Sequence, residues 1–344
     1  MHRNDITIKD IAELANVGVS TVSRVMNDHP EVSEKTRERV KKIISLYGYI
    51  PNASAQNLKI AESHNIGILI KAAFSPFFTT MIEIIEAYIV KQGYSMVLMK
   101  VGVSEDEIKR AEMLVKDKRL SGVIFLGGSF SHTEEKLTRL GCPFVFVTTT
   151  QLSCRSEAFS SVYVNDTKEA FKAVDYLISL GHNNPAILLV KTEALSIIEL
   201  RLNGYKQALA HYSIDFDENR VITADNFSMK ASYDVTKQAV EKSIDSTAIF
   251  AISDVLAVGA IKALTDSGFS VPEDMSVIGF DGQDIASYYN PTIATISQPI
   301  EQMAQKAAEQ LFKLIRGEKH KQIEFNGELI KGGSCIAAKG VKRV

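Results

Sequence analysis

Apolar residues in the first 47 positions recur at helical spacing. Ile8, Ile11, Ala12 and Ala15 share one face, then Val22, Val25 and Met26, then Val40, Ile43, Ile44 and Tyr47. The pattern predicts three short helices. Thr7 and Asp10 stand at capping-box spacing ahead of the first. Asn16-Val17-Gly18 reads as a turn, Pro30 breaks the chain, Ser33 precedes the third helix and Gly48 ends it. Two short helices joined by a tight turn make a helix-turn-helix, with the third helix holding the second one outward. The outer face of that second helix carries Ser20, Thr21, Ser23, Arg24 and Asn27. Short hydroxyl and amide side chains around one guanidinium can approach and read base edges in a major groove. The same pattern also suits an ordinary amphipathic surface helix.

Residues 49–59 follow, with Asn52 placed to cap a helix of about two turns, which is marginal in water by itself. Leu58 is its one large apolar residue; the plain alternative is a linker. From Asn65 the pattern changes. Apolar runs at Ile66–Ile70, Met96–Met99, Val123–Leu126 and Phe144–Val147 read as buried parallel strands separated by helices. A second series is expected from Val162–Val164 through Ile187–Val190, Ala248–Ala251 and Val277–Phe280. Two successive windings predict an α/β body of two doubly wound lobes. Thr295–Ser297 and a helix over Ile300–Arg316 suggest a return between them. The expected division is a helix-turn-helix domain at 1–49, a hinge at 50–63 and a two-lobed body at 64–344. Lobe one is expected at about 64–161 and 295–325, and lobe two at about 162–294 and 326–344.

Composition narrows the function classes. No apolar run is long enough for a membrane span, and no apolar segment follows the N-terminal residues as a secretory signal would require. Cys142, Cys154 and Cys335 lie far apart without metal-ligand spacing, so free thiols in the cytoplasm are expected, with no metal and no cofactor. The net charge is −2, and residues 1–63 hold nine Lys and Arg against eight Asp and Glu. Any DNA binding must therefore come from local placement of Lys9, Arg24, Lys35, Arg37, Lys41 and Lys59 rather than from bulk charge. No P-loop, dinucleotide fingerprint or nucleophile elbow is found, which argues against an enzyme.

The segments Thr7-Ile8-Lys9-Asp10-Ile11-Ala12, Ser20 to Asn27, Val32 to Arg37 and Gly48 to Ala53 resemble the lactose/galactose repressor (LacI–GalR) family of bacterial transcription regulators. So do Leu180-Gly181-His182, Arg201 to Tyr205, Val271 to Asp274 and Val277 to Asp281 further on. The resemblance spans essentially the whole chain. It implies a three-helix DNA-binding domain, a periplasmic-binding-protein-like body, and a homodimer on a near-palindromic operator. Val19, Ser20 and Arg24 match base-reading positions, with Thr21, Ser23, Asn27 and Thr36 toward phosphates. Leu58 matches a leucine inserted into the minor groove, and Thr7, Asn52 and Ala55 complete the expected DNA-facing set. Two departures stand out. The hinge Ala53-Ser54-Ala55-Gln56 lacks a larger apolar residue and Arg, and Gly18 replaces a Ser or Thr cap.

For the body, the resemblance implies an effector cleft drawing on Ser75, Phe77, Phe78, Asn165, Arg201, Phe227, Ser253 and Asp281. Guanidinium and carboxylate can bracket vicinal hydroxyls while aromatic rings cover a sugar's apolar face. A carbohydrate effector is expected, although Ser75 and Ser253 stand where sugar-binding relatives often carry Asn. Phe77 and Phe78 could instead be core residues, and His182 reads as structural. Control by a phosphorylated partner protein, or a solute-binding role, are the alternatives. The absence of leucine heptads after Ser334 favours a dimer over a coiled-coil tetramer.

Overall fold

The computed structural model describes residues 7–26, 29, 31–47, 64–71, 76–102, 105–129, 131–150, 154–191 and 196–339. The chain divides into two compact units, 1–63 and 64–344. The expected sites Asn27, Asn52, Ala55, Leu58 and Ser75 lie outside the described residues, as does the hinge.

The first unit contains α1 (Ile8–Leu14), α2 (Val19–Met26) and α3 (Glu34–Tyr47). Thr7 and Asp10 form a reciprocal capping box: the Thr7 amide donates to the Asp10 carboxylate at 2.7 Å, and the Asp10 amide to Thr7 Oγ1 at 3.4 Å. Asn16 turns the chain at φ +49°, a left-handed conformation that Asn tolerates better than most residues. Ile11, Ala12, Ala15, Val22, Val25 and Val40 make the core, with Ile43 and Ile44 packed against it. Tyr47, expected on the inner face, is instead 50% exposed. The 14-residue α3 outruns partners of seven and eight residues, so its end extends beyond the helices described beside it.

In the second unit, β1 (Asn65–Ile70), α4 (Pro76–Lys91), β2 (Ser95–Lys100), α5 (Glu107–Lys118), β3 (Leu120–Leu126), α6 (Glu134–Thr138), β4 (Phe144–Val147) and β5 (Ser160–Val164) build the first lobe. The second contains α7 (Asp166–Ser179), β6 (Ala186–Val190), α8 (Ile197–His211), β7 (Val221–Ala224) and α9 (Met229–Glu241). It continues with β8 (Ala248–Ala251), α10 (Asp254–Asp266), β9 (Ser276–Asp281), α11 (Asp284–Tyr288) and β10 (Ala294–Ser297). Then α12 (Ile300–Ile315) and β11 (Gln322–Phe325) return to the first lobe, and β12 (Glu328–Ile330) to the second. The sheet orders are β11-β5-β4-β3-β1-β2 and β12-β10-β9-β8-β6-β7. All pairings are parallel except β10 with β12. This is the α/β architecture expected from the alternating pattern.

Two lobe boundaries need correction. Val162–Val164, expected to open lobe two, completes the first sheet between β4 and β11. Thr295–Ser297, expected in lobe one, lies beside β9 in the second sheet. A buried parallel strand is apolar whichever sheet it joins, so its pattern does not say where it belongs. The chain thus crosses between lobes after Val164, between Ser297 and Ile300, and between Phe325 and Glu328.

Candidate functional site

On the first unit, Val22 and Val25 anchor α2 inward and leave Val19, Ser20 and Arg24 exposed, with Thr21 and Ser23 half-buried. Thr36, also half-buried, lies within hydrogen-bond distance of Ser33, Oγ to Oγ1 2.9 Å. Thr7 is engaged in its cap. The exposed set presents a guanidinium, a hydroxyl and an isopropyl group, which together can donate, accept and touch a thymine methyl.

On the second unit, a buried polar cluster is centred on Arg201 of α8. Its Nε donates to Asp166 Oδ1 at 2.8 Å and its Nη1 to the Ile252 carbonyl at 2.5 Å. Nη2 lies 3.4 Å from Asp281 Oδ1, and the guanidinium carbon is 3.7 Å from the centre of the Phe280 ring. Gly204 makes this possible: a Cβ there would sit 2.3 Å from the Thr167 carbonyl, so only glycine lets α8 lie close on α7. Asp281 closes β9 at φ +106°, an unusual backbone state for a residue with a side chain and one associated with functional sites. It accepts from Gln298 Nε2 at 2.8 Å and Gln283 Nε2 at 3.3 Å. Both glutamines are at least nine-tenths buried, and neither Oε1 has a hydrogen-bond partner among the described residues. Behind them, Asp254 Oδ2 accepts from the Gln283 amide at 2.7 Å, and Oδ1 lies 2.6 Å from Thr295 Oγ1.

Three carboxylates against one guanidinium, all withdrawn from water, favour protonation. Burial pushes Asp281 up to about 6 despite the opposing pull of Arg201. Burial, reinforced by the charge of Asp281, pushes Asp254 up to about 8. Burial also raises Asp166, against the attraction of Arg201. At the strand ends of the first sheet, Glu107 behaves oppositely. Burial works to raise it, but His132 Nε2 at 2.7 Å, Lys71 Nζ at 2.6 Å and the Ser129 amide at 2.7 Å hold it at about 2.

The structure brings Arg201 and Asp281 together; the other expected effector residues fare differently. The Ser253 hydroxyl caps α10, accepting from the Leu256 amide at 3.3 Å, and its neighbour Ile252 supplies the carbonyl to Arg201. Asn165 is exposed and caps α7. Phe227 packs half-buried on the second lobe's core. Phe77 and Phe78 are buried among Ile66, Met81 and Ile85, edge to face at 5.3 Å, which is the core alternative. His182 bridges Thr247 and the Ile336 carbonyl, as a structural residue would. Sequence reasoning missed Asp166, Asp254, Gln283 and Gln298. It also missed Thr148 (φ +64°) and Thr149 at the end of β4, where the Thr149 hydroxyl is buried with no hydrogen-bond partner among the described residues. Their one available signal was a polar residue directly after an apolar strand or at the start of the next helix.

A helix-turn-helix unit and a two-lobed α/β unit with a buried polar cluster at its strand ends define a DNA-binding transcriptional regulator with an effector-type body. Residues 7–52 match the model of bacterial regulatory proteins of the lacI family, and 174–335 match the periplasmic binding protein-like domain. The HTH-type transcriptional regulator MalR of Clostridium butyricum is 41% identical over 335 residues, covering 96% of this chain and 99% of that one. A lac repressor dimer bound to operator and the anti-inducer ONPF superposes with a TM-score of 0.74 at 26% identity, over 97% of this chain and 100% of that one. A complex of the transcriptional regulator CelR with cellobiose gives 0.70 at 26% identity, over 96% and 99%. The chain belongs to the lacI family of bacterial transcriptional regulators.

Proposed function

We propose that this regulator is a cytoplasmic repressor that binds a near-palindromic operator as a homodimer. Val19, Ser20 and Arg24 meet bases, and Thr21, Ser23 and Thr36 meet phosphates. A small neutral carbohydrate, bound at the Arg201–Asp281 cluster, modulates that binding. The observation that carries the effector reading is the pair of buried acceptors Gln283 Oε1 and Gln298 Oε1 flanking Asp281, without hydrogen-bond partners among the described residues. Acceptors withdrawn from water call for a donor-rich, uncharged molecule, and sugar hydroxyls supply it. The guanidinium already faces two carboxylates, Asp166 and Asp281, which disfavours an added phosphate. Gln298 lies on the second crossing and Asp166 just after the first, so a ligand here bears on the segments that join the lobes. The cellobiose in the CelR complex supports the class of effector.

A thermal-shift panel of neutral mono- and disaccharides, set beside their phosphorylated forms, is expected to yield stabilising neutral sugars, since a specific ligand raises stability by mass action. Asp281→Asn should then weaken that sugar by about 1–3 kcal/mol, because one acceptor becomes a donor inside a buried site. Operator affinity without sugar should stay unchanged while the sugar's effect on it disappears. A variant that responds at the parent's sugar concentration would remove Asp281 from the site. On the DNA side, Arg24→Ala should cost about 1–3 kcal/mol on a specific duplex and relax preference at one position per half-site. Equal weakening on every duplex would assign Arg24 to phosphate.

A further inference from the structure

Beside Arg24, on the face proposed to meet DNA, stands a carboxylate. Glu31 Oε2 is 3.7 Å from Arg24 Nη1, with both side chains more than half exposed. Bonds made by His29 and Glu31 set the backbone that carries this neighbour. The His29 amide donates to the Arg24 carbonyl at 2.9 Å, Arg37 Nη2 donates to the His29 carbonyl at 2.8 Å, and the Glu31 amide donates to His29 Nδ1 at 3.5 Å. Arg37 is itself paired with Glu34, Nε to Oε2 3.6 Å. As an isolated exposed ion pair, the contact contributes little to folding. Its consequence lies at the DNA surface. A negative charge there is repelled by phosphates in every duplex and every register. It is compensated only where Arg24 and Glu31 both find partners: Arg24 on the O6 and N7 of a guanine, Glu31 on the N4 amino group of a cytosine.

We propose that Glu31 is a second specificity residue of the DNA-reading face: it aims the Arg24 guanidinium and penalises duplexes that offer no cytosine amino group beside the guanine that Arg24 reads. Selectivity here includes a repulsive element as well as an attractive one. The inference rests on the base-reading role of Arg24 proposed above.

The test uses the full-length protein, a duplex selected by it from a random library, and a shuffled duplex of the same composition. Glu31→Gln removes the charge from an exposed position and retains the fold, which circular dichroism checks. Its affinity for the shuffled duplex should rise roughly threefold to fivefold, the effect of removing one like charge several ångströms from phosphate in a partly aqueous setting. Its affinity for the selected duplex should stay the same or fall, so that the ratio drops at least threefold. Repeating the selection with this variant should recover a relaxed base preference next to the guanine. Equal shifts on both duplexes with an unchanged selected sequence would overturn the proposal. Arg24→Ala run in parallel separates the two readings. If it weakens both duplexes equally, base reading by Arg24 fails and the proposal with it. If it is duplex-specific while Glu31→Gln is uniform, the role of Glu31 alone is wrong.

Discussion

Arg201→Ala is expected to destabilise the larger unit by about 3–5 kcal/mol at pH 8, because it leaves buried carboxylates without their cation, and by far less at pH 5. Arg201 is buried, and its five-donor fork is divided among Asp166, the Ile252 carbonyl and Asp281. Even with the guanidinium present, burial holds Asp281 at about 6 and raises Asp166; without it both move further up. The folded state then binds more protons than the unfolded chain, so the variant gains stability as pH falls through those values and loses it as pH rises. Scanning calorimetry of parent and variant at the two pH values gives the comparison. A loss of the same size at both would mean that stacking on Phe280, rather than charge compensation, is what Arg201 supplies.

This cluster also marks how far the sequence could be read. Arg201 and Asp281 stood out because each sits beside recognisable neighbours, Gly204-Tyr205 and Val277–Phe280. Their partners did not. Asp166 is 35 residues from Arg201, and Gln298, at the start of a crossing between lobes, is 17 from Asp281. Such pairs come together only when the chain has folded, and no local period records them. Strand positions were legible wherever both faces are buried, as in β4 and β8. The edge strands β7, β11 and β12 were not, because their half-exposed residues make no apolar run. Phe77 and Phe78 illustrate the converse: a ring near a strand end suits a sugar or a core equally well, and both lie in the first lobe's buried cluster with Met81 and Ile85. The helix-turn-helix was clear because local spacing alone specifies it, down to the Thr7–Asp10 box.

Asp254→Asn should flatten the pH dependence of stability between pH 6 and pH 8. In the parent, burial and the neighbouring charge of Asp281 hold the Asp254 carboxyl at about 8, against about 4 in an unfolded chain. The folded state keeps this proton when the unfolded state has released it, so stability falls as pH rises from about 4 and goes on falling through 8. From this group alone the parent should lose roughly 2 kcal/mol between pH 6 and pH 8. The amide imitates the neutral acid closely. Its NH2 can donate to Thr295 Oγ1, which itself accepts from the Gly282 amide at 3.3 Å, and its oxygen can accept from the Gln283 amide. Gly279 keeps the space open, since a Cβ there would come within 2.2 Å of Asp254 Oδ1. Stability at pH 6 should therefore be nearly retained, and at pH 8 the variant should exceed the parent. Asp254→Ala, which deletes both bonds, should be weaker than the parent at pH 6. Urea unfolding at pH 6, 7 and 8 measures all three proteins. Parallel pH profiles for the parent and Asp254→Asn would show that Asp254 is ionised in the folded protein and that the protonated network is wrong.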